Sequence, residues 1–316
     1  MYDGKAYYFF GDYLRNKFGC RVLKLPINAG LSCPNRDSEG GGCIFCAEDG
    51  SAAPHAYLQN SIPLQMEAAK NNFRRADEET KYIAYFQAYT NTYSSAANLK
   101  KLYSEALNYP DINIVGLMIA TRPDCLPDNI IAIIEDYCRE DFELWIEIGM
   151  QSCHDKSLAF LNRKHSHKET VDAAKRIYSK GIKICMHIIL GIPGETWHDM
   201  MATAEEVSSI PISGIKLHHL HVINGTKLDE MYKRKEITLL SMKEYVSTAC
   251  DFIERLRPDI LIHRLLSDRS KKSLCAPLWG EHKGTVIRAI EDEFERRVTY
   301  QGFLHNIKHG EHAVMR

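Results

Sequence analysis

The chain has 316 residues, of which 45% are apolar and 26% charged, and its 40 Lys and Arg nearly balance its 41 Asp and Glu, giving a formal net charge of -1. This composition is typical of a soluble globular protein and argues against a histone-like nucleic-acid binder, although it permits a local basic patch. The apolar runs are far shorter than the roughly 20 residues of a membrane span. The N-terminal residues lack the charged and apolar regions of a signal peptide. We therefore expect a cytoplasmic protein with no membrane segment.

Short apolar segments alternate with helical patterns through the first 225 residues. Buried strands are predicted at residues 21–27, 82–88, 112–120, 142–150, 182–190 and 215–222. Helices are predicted between them, at residues 64–75, 97–109, 128–138, 168–180 and 199–208, where apolar positions recur at spacings of three and four. Such alternation produces a parallel sheet through right-handed crossovers. The prediction is an α/β fold, a partial (β/α)6 TIM-like barrel, in which chemistry gathers at the C-terminal ends of the strands.

The chain beyond residue 225 has a different pattern. A helix is predicted at 241–256, a short strand at 260–265 and a final helix at 285–297. We expect a barrel core over residues 1–225 and a C-terminal α/β appendage over 226–300 that closes one side of the barrel. Residues 301–316 carry no strong pattern and are expected to form a mobile tail.

Three of the ten cysteines lie together directly after the first predicted strand. Cys33, Cys43 and Cys46 have the spacing C-x9-C-x2-C, whereas the other seven occur singly. A disulfide framework is not expected in so long a chain without a secretory signal. We interpret the single cysteines as small core residues and the grouped ones as metal ligands.

Three grouped thiolates favour a [4Fe-4S] cluster. A cubane has four irons, so three cysteines leave one iron open to a small molecule. The glycines at 40–42 permit the backbone turns of a loop around a cluster, and Phe45 could pack on an aromatic ligand of the open iron. The alternatives are zinc, which would need a fourth ligand such as Cys20 or His55, and thiols that bind no metal.

Several motifs together resemble the radical S-adenosylmethionine (SAM) enzymes, in particular the branch typified by the catalytic subunit of Elongator and the compact YtqA/YhcC-type proteins. The resemblance runs from about residue 8 to residue 297. Besides the cysteine loop, whose long x9 spacing points to this branch, it rests on Ala120-Thr-Arg-Pro-Asp124, Glu147-Ile-Gly-Met-Gln-Ser152, Leu161-Asn-Arg163, Ile189-Leu-Gly-Ile-Pro-Gly-Glu-Thr196 and His263-Arg-Leu. The resemblance implies that SAM is bound at the open iron and cleaved after one-electron reduction. The resulting 5′-deoxyadenosyl radical abstracts a hydrogen atom from the substrate.

The loop after the second strand departs from the family. Its usual Gly-Gly-Glu type segment is replaced by Gln-Ala-Tyr-Thr-Asn at residues 87–91. The carbonyls of Tyr89 and Thr90 and the side chain of Asn91 are the candidate acceptors for the amino group of SAM. The alternative is an ordinary polar loop between a strand and a helix.

Further candidate SAM contacts lie on the fourth and fifth strands and just beyond the fourth. Glu147 and Gln151 share one strand face by alternation, and the resemblance places Gln151 at the ribose and Arg163 at the carboxylate of SAM. His187 occupies the position of a polar ribose contact, and Ile189 shares its face. The alternatives are a Gln and a His satisfied within the core and an exposed Arg.

Two features of the later chain bear on substrate and metal. The segment 263–288 is locally basic, and its candidate substrate contacts are Arg264, Arg269, Lys271, Lys272 and Trp279. Cations can hold phosphates and an aromatic ring can stack a base, but a solvated charged face is the alternative. In His218-His-Leu-His221 two histidines share a face, and a second metal is not favoured because no carboxylate lies at ligand spacing.

The resemblance also suggests a substrate. The Elongator-like branch modifies the wobble uridine of tRNA at carbon 5, and YtqA-type relatives are associated with converting a carboxymethylaminomethyl side chain toward the aminomethyl form. The chain has no room for the acetyltransferase domain of the Elongator subunit. We expect tRNA as the substrate and flavodoxin or ferredoxin as the electron donor, and no catalytic residue is assigned. The alternatives are a radical SAM enzyme acting on a small metabolite and a zinc-stabilised RNA-binding or adaptor protein.

Overall fold

An open parallel sheet forms the centre of the molecule. The computed structural model describes residues 4–38, 41–50, 52–57, 61–73, 76–267 and 273–308. Its strands are β1 (Val22–Ile27), β2 (Lys81–Phe86), β3 (Ile114–Thr121), β4 (Glu143–Gln151), β5 (Lys183–Leu190), β6 (Gly214–His219), β7 (Val222–Ile223), β8 (Leu261–Arg264) and β9 (Leu274–Ala276). Seven of them pair in parallel in the order β1-β2-β3-β4-β5-β6-β8 and curl into a half-barrel. Every residue of β4 is buried, as expected for a parallel strand covered on both faces.

Helices surround the sheet, most of them on its outer face. They are α1 (Phe10–Phe18), α2 (Pro34–Asp37), α3 (Pro54–Tyr57), α4 (Ile62–Asn71), α5 (Ala96–Leu107), α6 (Asp128–Glu135), α7 (Asp155–Phe160), α8 (His167–Tyr178), α9 (Trp197–Ser209), α10 (Lys227–Lys233), α11 (Met242–Glu254), α12 (Lys283–Arg297) and α13 (Phe303–Lys308). The apolar faces of α4, α5, α6, α8, α9 and α11 form one large core with the strands. Among the described residues, no helix is both long and apolar enough to cross a membrane.

Helix α1 closes the N-terminal end of the half-barrel. Phe10 and Leu14 pack inside the sheet against Ile83, Trp145 and Leu261, which come from the first halves of their strands. The chain before α1 also bonds to the edge strand β8. Because this end is filled, the interior opens only toward the C-terminal ends of the strands.

The predicted fold class is confirmed, and the sheet has one strand more than expected. The six predicted strands agree with β1–β6 to within three residues at each end. The short strand at 260–265, which we assigned to the appendage, contains β8, and it extends the main sheet beside β6. The predicted sixth strand ends early, at residue 219, and its last residue belongs to β7, which pairs with β9 in a separate antiparallel ribbon.

The predicted mobile tail needs a correction in its first part. Gln301 is buried and its amide donates to the carbonyl of Ile260 at 2.7 Å. Residues 303–308 then form α13, because the buried Gln301 ties this stretch to the start of β8. Residues 309–316 lie outside the described residues. The domain division near residue 225 stays a prediction.

Candidate radical SAM active site

A cavity of about 620 Å³ occupies the open end of the half-barrel. It is bounded by the cysteine loop and by residues at the ends of β2–β6 and β8. Its charged and ligand-type lining residues are Cys33, Arg36, Cys43, Cys46, Asp49, Arg122, Glu147, Arg163, His187, Lys216, His218, His219, His221 and Arg264. The structure thus brings the three grouped cysteines to the place where chemistry gathers in this kind of barrel.

The three cysteines face one cavity, and neither of the two residues named as a fourth zinc ligand lies on its wall. Cys33, Cys43 and Cys46 are all partly exposed on its wall. Cys20 and His55 are absent from the cavity wall, and the His55 imidazole is hydrogen-bonded to the carbonyl of Pro26 at 3.1 Å. The structure therefore separates the three cysteines from both residues that could have completed a closed zinc site. Three thiols on an open cavity fit a cluster with one iron left for a small molecule.

The cysteine loop is held in place by the segment that follows α7. The Asn162 amide donates to the carbonyl of Gly42 at 2.7 Å, and the Asn35 amide donates to the carbonyl of Asn162 at 2.7 Å. The backbone N–H of Ile44 bonds to the carbonyl of Leu161 at 3.2 Å. These bonds connect two motifs more than 100 residues apart in sequence, and they explain why both contribute to one site.

Arginines surround the cysteine sulfurs. The Arg163 Nη1 lies 3.3 Å from the Sγ of Cys43, and the Arg36 Nη2 lies 3.4 Å from the Sγ of Cys46. Burial raises the pKa of the Cys46 thiol, and the hydrogen bond from Arg36 opposes this rise. Cations at this distance stabilise thiolates, which are the form that binds metal.

Arg122 adds a third cation from the end of β3. Its guanidinium pairs with Asp124 at 2.8 Å and donates to the carbonyl of Arg163 at 2.7 Å. Its Nη1 is buried and has no hydrogen-bond partner among the described residues. The Oγ1 of Thr90 lies on the cavity wall too. It is also buried and has no hydrogen-bond partner among the described residues. Unpaired polar atoms beside a cavity are what a polar ligand would satisfy.

Gly149 makes room for two of the predicted SAM contacts. A Cβ at this position would lie 2.7 Å from the Nε2 of Gln151 and 2.9 Å from the Nη2 of Arg163. The Arg163 Nη2 donates to the Gly149 carbonyl at 2.8 Å, and both side chains line the cavity. A side chain at position 149 would therefore force the polar ends of Gln151 and Arg163 to shift from these positions.

The loop after β2 is bonded to the cysteine region. Tyr89 has a φ of 59°, and its N–H bonds to the carbonyl of Gly50, while the Thr90 N–H bonds to that of Ser32. Tyr89 and Thr90 line the cavity, and their contact with the amino group of SAM stays a prediction. The side chain of Asn91 does not, because its amide donates to the carbonyls of Phe86 and Ala120 and joins the ends of β2 and β3. The structure therefore separates Asn91 from the other candidate contacts.

The remaining predicted SAM contacts line the same cavity. Phe45 packs against an apolar cluster that includes Leu161 and Ile189, and Ile189 faces the cavity. His187 lies on the wall from β5, and its ring centroid is 5.5 Å from that of His218 at the end of β6. Phe45, Gln151, Arg163, His187 and Ile189 are thus brought together.

A buried ionic network, which the sequence did not reveal, forms the floor of the cavity. Glu147 on β4 is fully buried, and its Oε2 accepts hydrogen bonds from Lys216 at 2.6 Å, from Tyr85 at 2.6 Å and from His187 at 3.0 Å. Lys216 also donates to the Tyr85 hydroxyl at 2.9 Å. Polar residues in the interior of otherwise apolar strands were the signal of this network.

The network shifts the ionisation of its members. Burial alone raises the pKa of Glu147, but the charge of Lys216 and the hydrogen bond from His187 outweigh it and hold that pKa well below its usual range. Burial and the charge of Lys216 lower the pKa of His187 to about 4, and the same two causes lower the pKa of Lys24 to about 7. Glu147 is therefore ionised and His187 neutral at pH 7.

The predicted substrate residues are divided by the structure. Arg264 lines the cavity from the end of β8. Trp279 does not, because its indole N–H donates to the carbonyl of Leu240 at 3.1 Å and its ring packs 4.6 Å from that of His219. The role expected for Trp279 in stacking a base within this site is therefore not supported. Arg269, Lys271 and Lys272 lie outside the described residues.

The histidines of β6 do not form a metal site with carboxylates in the described part of the chain. The group there that brings three potential ligand atoms within 4.8 Å of one another is Glu147, Cys185 and His263. Its carboxylate is already bound by Lys216, and the imidazole of His263 stacks on Phe10 at a centroid distance of 3.7 Å. A divalent cation beside the Lys216 ammonium is electrostatically disfavoured.

The half-barrel and its cysteine-lined cavity are those of a radical SAM enzyme, and comparisons with known families agree. Residues 28–207 match the model of the Radical SAM superfamily, and residues 212–296 match that of the Radical_SAM C-terminal domain. The chain therefore belongs to the radical SAM superfamily, whose enzymes use a [4Fe-4S] cluster and SAM. The predicted family and cofactors are confirmed.

Particular relatives extend along nearly the whole chain. The protein is 37% identical over 302 residues to the uncharacterised protein MJ0486 of Methanocaldococcus jannaschii, covering 95% of this chain and 92% of the relative. It is 35% identical over 300 residues to the uncharacterised protein YtqA of Bacillus subtilis, covering 94% and 92% respectively.

More distant relatives share part of their length with this chain. A tRNA uridine(34) acetyltransferase of Methanocaldococcus infernus is 30% identical over 212 residues, which is 62% of this chain and 39% of that protein. The solved structure of the Elp3 protein of the same archaeon, with an N-terminal deletion, superposes with a TM-score of 0.64 at 17% identity, covering 89% of this chain and 64% of that one. This superposition supports the fold alone.

Proposed function

We propose that this radical SAM enzyme modifies the wobble uridine of tRNA, converting a carboxymethylaminomethyl side chain at carbon 5 toward the aminomethyl form. The observation that carries the chemistry is the placement of Cys33, Cys43 and Cys46, with their arginines, on one cavity at the C-terminal ends of the strands. The choice of substrate is supported by the resemblance to the Elongator-like branch and by the tRNA uridine(34) acetyltransferase among the relatives. We expect a cytoplasmic enzyme that takes its electron from a donor such as flavodoxin or ferredoxin.

The residues of the cavity have separate roles in this proposal. The three cysteines hold the cluster, and the bound cluster and SAM supply the abstraction of a hydrogen atom from the substrate. Arg163 holds the carboxylate of SAM in a forked contact, Tyr89 and Thr90 accept from its amino group, and Gln151 reaches its ribose. Phe45, His187 and Ile189 form the wall around the nucleoside and exclude water from the reaction.

The cluster and the cleavage of SAM are tested by comparing wild type with Cys46→Ala. We expect about four irons and four labile sulfides per chain after anaerobic purification, and 5′-deoxyadenosine after reduction. Cys46→Ala should lose both. Cys20→Ala is the matched control, since Cys20 does not line the cavity, and it should behave as wild type. One zinc per chain and no SAM cleavage would instead establish a metal-stabilised binding protein.

The RNA substrate is tested with anticodon stem-loops that carry the modified wobble uridine. Their binding should weaken as salt rises, and neutralising Arg269, Lys271 and Lys272 should reduce the slope of log K against log salt by about one for each cation removed. Substrate-dependent formation of 5′-deoxyadenosine should require the stem-loop. Binding that does not depend on salt would contradict the proposal, and turnover of a small metabolite without RNA would favour the alternative enzyme.

A further inference from the structure

The charges on the cavity wall divide into two groups. At the cysteine end, Arg36 and Arg163 lie beside the sulfurs of Cys46 and Cys43, and Arg122 is paired with Asp124. Arg122 is therefore compensated by a carboxylate, and Arg36 and Arg163 lie where they would stabilise the thiolate form of the cluster ligands.

Cationic side chains outnumber carboxylates around the floor and far wall of the cavity, where Lys24, Lys216 and Arg264 all interact electrostatically with their neighbours and Glu147 is the carboxylate they share. Glu147 is the acidic residue of this region, and its Oε2 already accepts from Lys216 at 2.6 Å. Arg264 adds another cation from the end of β8, and no carboxylate of the described residues forms an ion pair with it. The excess of positive charge is felt nearby, because Arg264 contributes to lowering the pKa values of Lys216, His187 and His218.

A partly buried cation on a cavity wall, with no ion pair to a carboxylate among the described residues, favours an anionic ligand. Guanidinium binds a carboxylate through two parallel hydrogen bonds, and such contacts strengthen where water is excluded. His187 and His218, which line the same cavity and whose ring centroids are 5.5 Å apart, are neutral or cationic and cannot supply an anion.

We propose that Arg264 forms an anion subsite that holds the carboxylate of the substrate side chain at the far wall of the cavity. This inference rests on the proposed function, since it assigns the carboxylate to the carboxymethylaminomethyl group. Arg264 is a specificity residue here: it distinguishes a uridine that bears the carboxylate from one that lacks it. Lys216, held by Glu147 and Tyr85, fixes the geometry of the floor.

The test compares two free nucleosides, 5-carboxymethylaminomethyluridine and its methyl ester, which differ in the negative charge and carry no phosphate. Binding is measured by calorimetry under anaerobic conditions to cluster-loaded protein with SAM and no reductant, so that SAM is not cleaved. Wild type should bind the carboxylate form 10- to 100-fold more tightly than the ester. Arg264→Gln should bind the two equally, and Arg264→Lys should retain part of the preference. Lys233→Gln, an exposed position outside this cavity, should keep the full preference.

Each other outcome overturns a defined part of the reasoning. Equal affinity of wild type for the two nucleosides, or no binding of either, would overturn the subsite. An Arg264→Gln variant that binds SAM more weakly but keeps the preference would show that the guanidinium holds the carboxylate of SAM, and the proposal would be wrong. If the preference is present and depends on Arg264 but no stem-loop is turned over, the subsite stands and the tRNA substrate is wrong.

Discussion

The substitution Glu147→Gln is a sharp test of the network beneath the cavity. The glutamate is fully buried, and Lys216, Tyr85 and His187 all donate to one of its oxygens. Glutamine keeps the size and shape of the side chain but removes its charge. The ammonium of Lys216, which is 2% exposed, is then left buried without a carboxylate.

The expected loss of stability follows from this burial. Removing one partner of a buried ion pair costs about 3–5 kcal/mol, because the other charge stays desolvated. Unfolding entropy is roughly 2.1 cal/mol/K per residue, or about 0.7 kcal/mol/K for a chain of 316 residues. The midpoint of thermal unfolding should therefore fall by about 5–7 °C. Lys216→Met should cost a similar amount, but the double variant should cost less than the sum of the two by roughly 0.5–3 kcal/mol.

The assay is thermal unfolding of the cluster-loaded proteins under anaerobic conditions, followed by circular dichroism. Glu236→Gln is the matched control, because its partner Arg234 and the glutamate itself are exposed and exposed pairs contribute about 0–1 kcal/mol. A midpoint for Glu147→Gln within a degree of wild type, or strict additivity in the double variant, would refute the idea that Glu147 compensates the Lys216 charge.

Three further outcomes are expected. Gly149→Ala should weaken SAM binding, measured by anaerobic titration, because the new Cβ would displace the Arg163 guanidinium. Gly284→Ala is the control, since a Cβ there would meet nothing within 4 Å. Equal SAM affinities of the two variants would contradict the close approach at Gly149. Arg163→Lys should lower SAM affinity about tenfold while the cluster is retained, because an ammonium cannot reproduce the fork; unchanged affinity would argue against a carboxylate contact. Burial lowers the pKa values of His187 and His219 from 6.5 to about 4. Between these pH values the unfolded chain binds more protons than the folded protein, so the free energy of unfolding should fall as pH drops from 6.5 to 4. An unfolding midpoint that stays constant over this range would show that these imidazoles are not desolvated.

The cysteine site was predictable because its signal is local. Cys33, Cys43 and Cys46 lie within 14 residues. Their spacing alone therefore indicates that one loop offers three thiol ligands to a metal centre. Positions such as Gln151 and His187 were predictable for a different reason: parallel strands align their C-terminal ends, so a polar residue near each end must approach the same cavity.

The floor network could not be predicted because its partners are distant in sequence. Tyr85 and Glu147 are 62 residues apart, and Tyr85 and Lys216 are 131 apart. An isolated polar residue in an apolar strand shows that a partner is required, but strand order and register decide which one it is. The orientation of Asn91 was equally inaccessible, since it depends on the positive φ of Tyr89 in the preceding turn.

The basic segment 263–288 was identified from its local composition, but its cationic residues lie in different surroundings in the structure. Arg264 faces the cavity, whereas Lys283 and Arg288 are exposed on α12. An exposed cation attracts RNA phosphates irrespective of the base, and salt screens this attraction. A partly buried cation on a cavity wall is screened less and contacts the group that enters the cavity. Under the proposed function, α12 therefore contributes affinity for any stem-loop, and Arg264 contributes discrimination among side chains, although both belong to a single patch in the sequence.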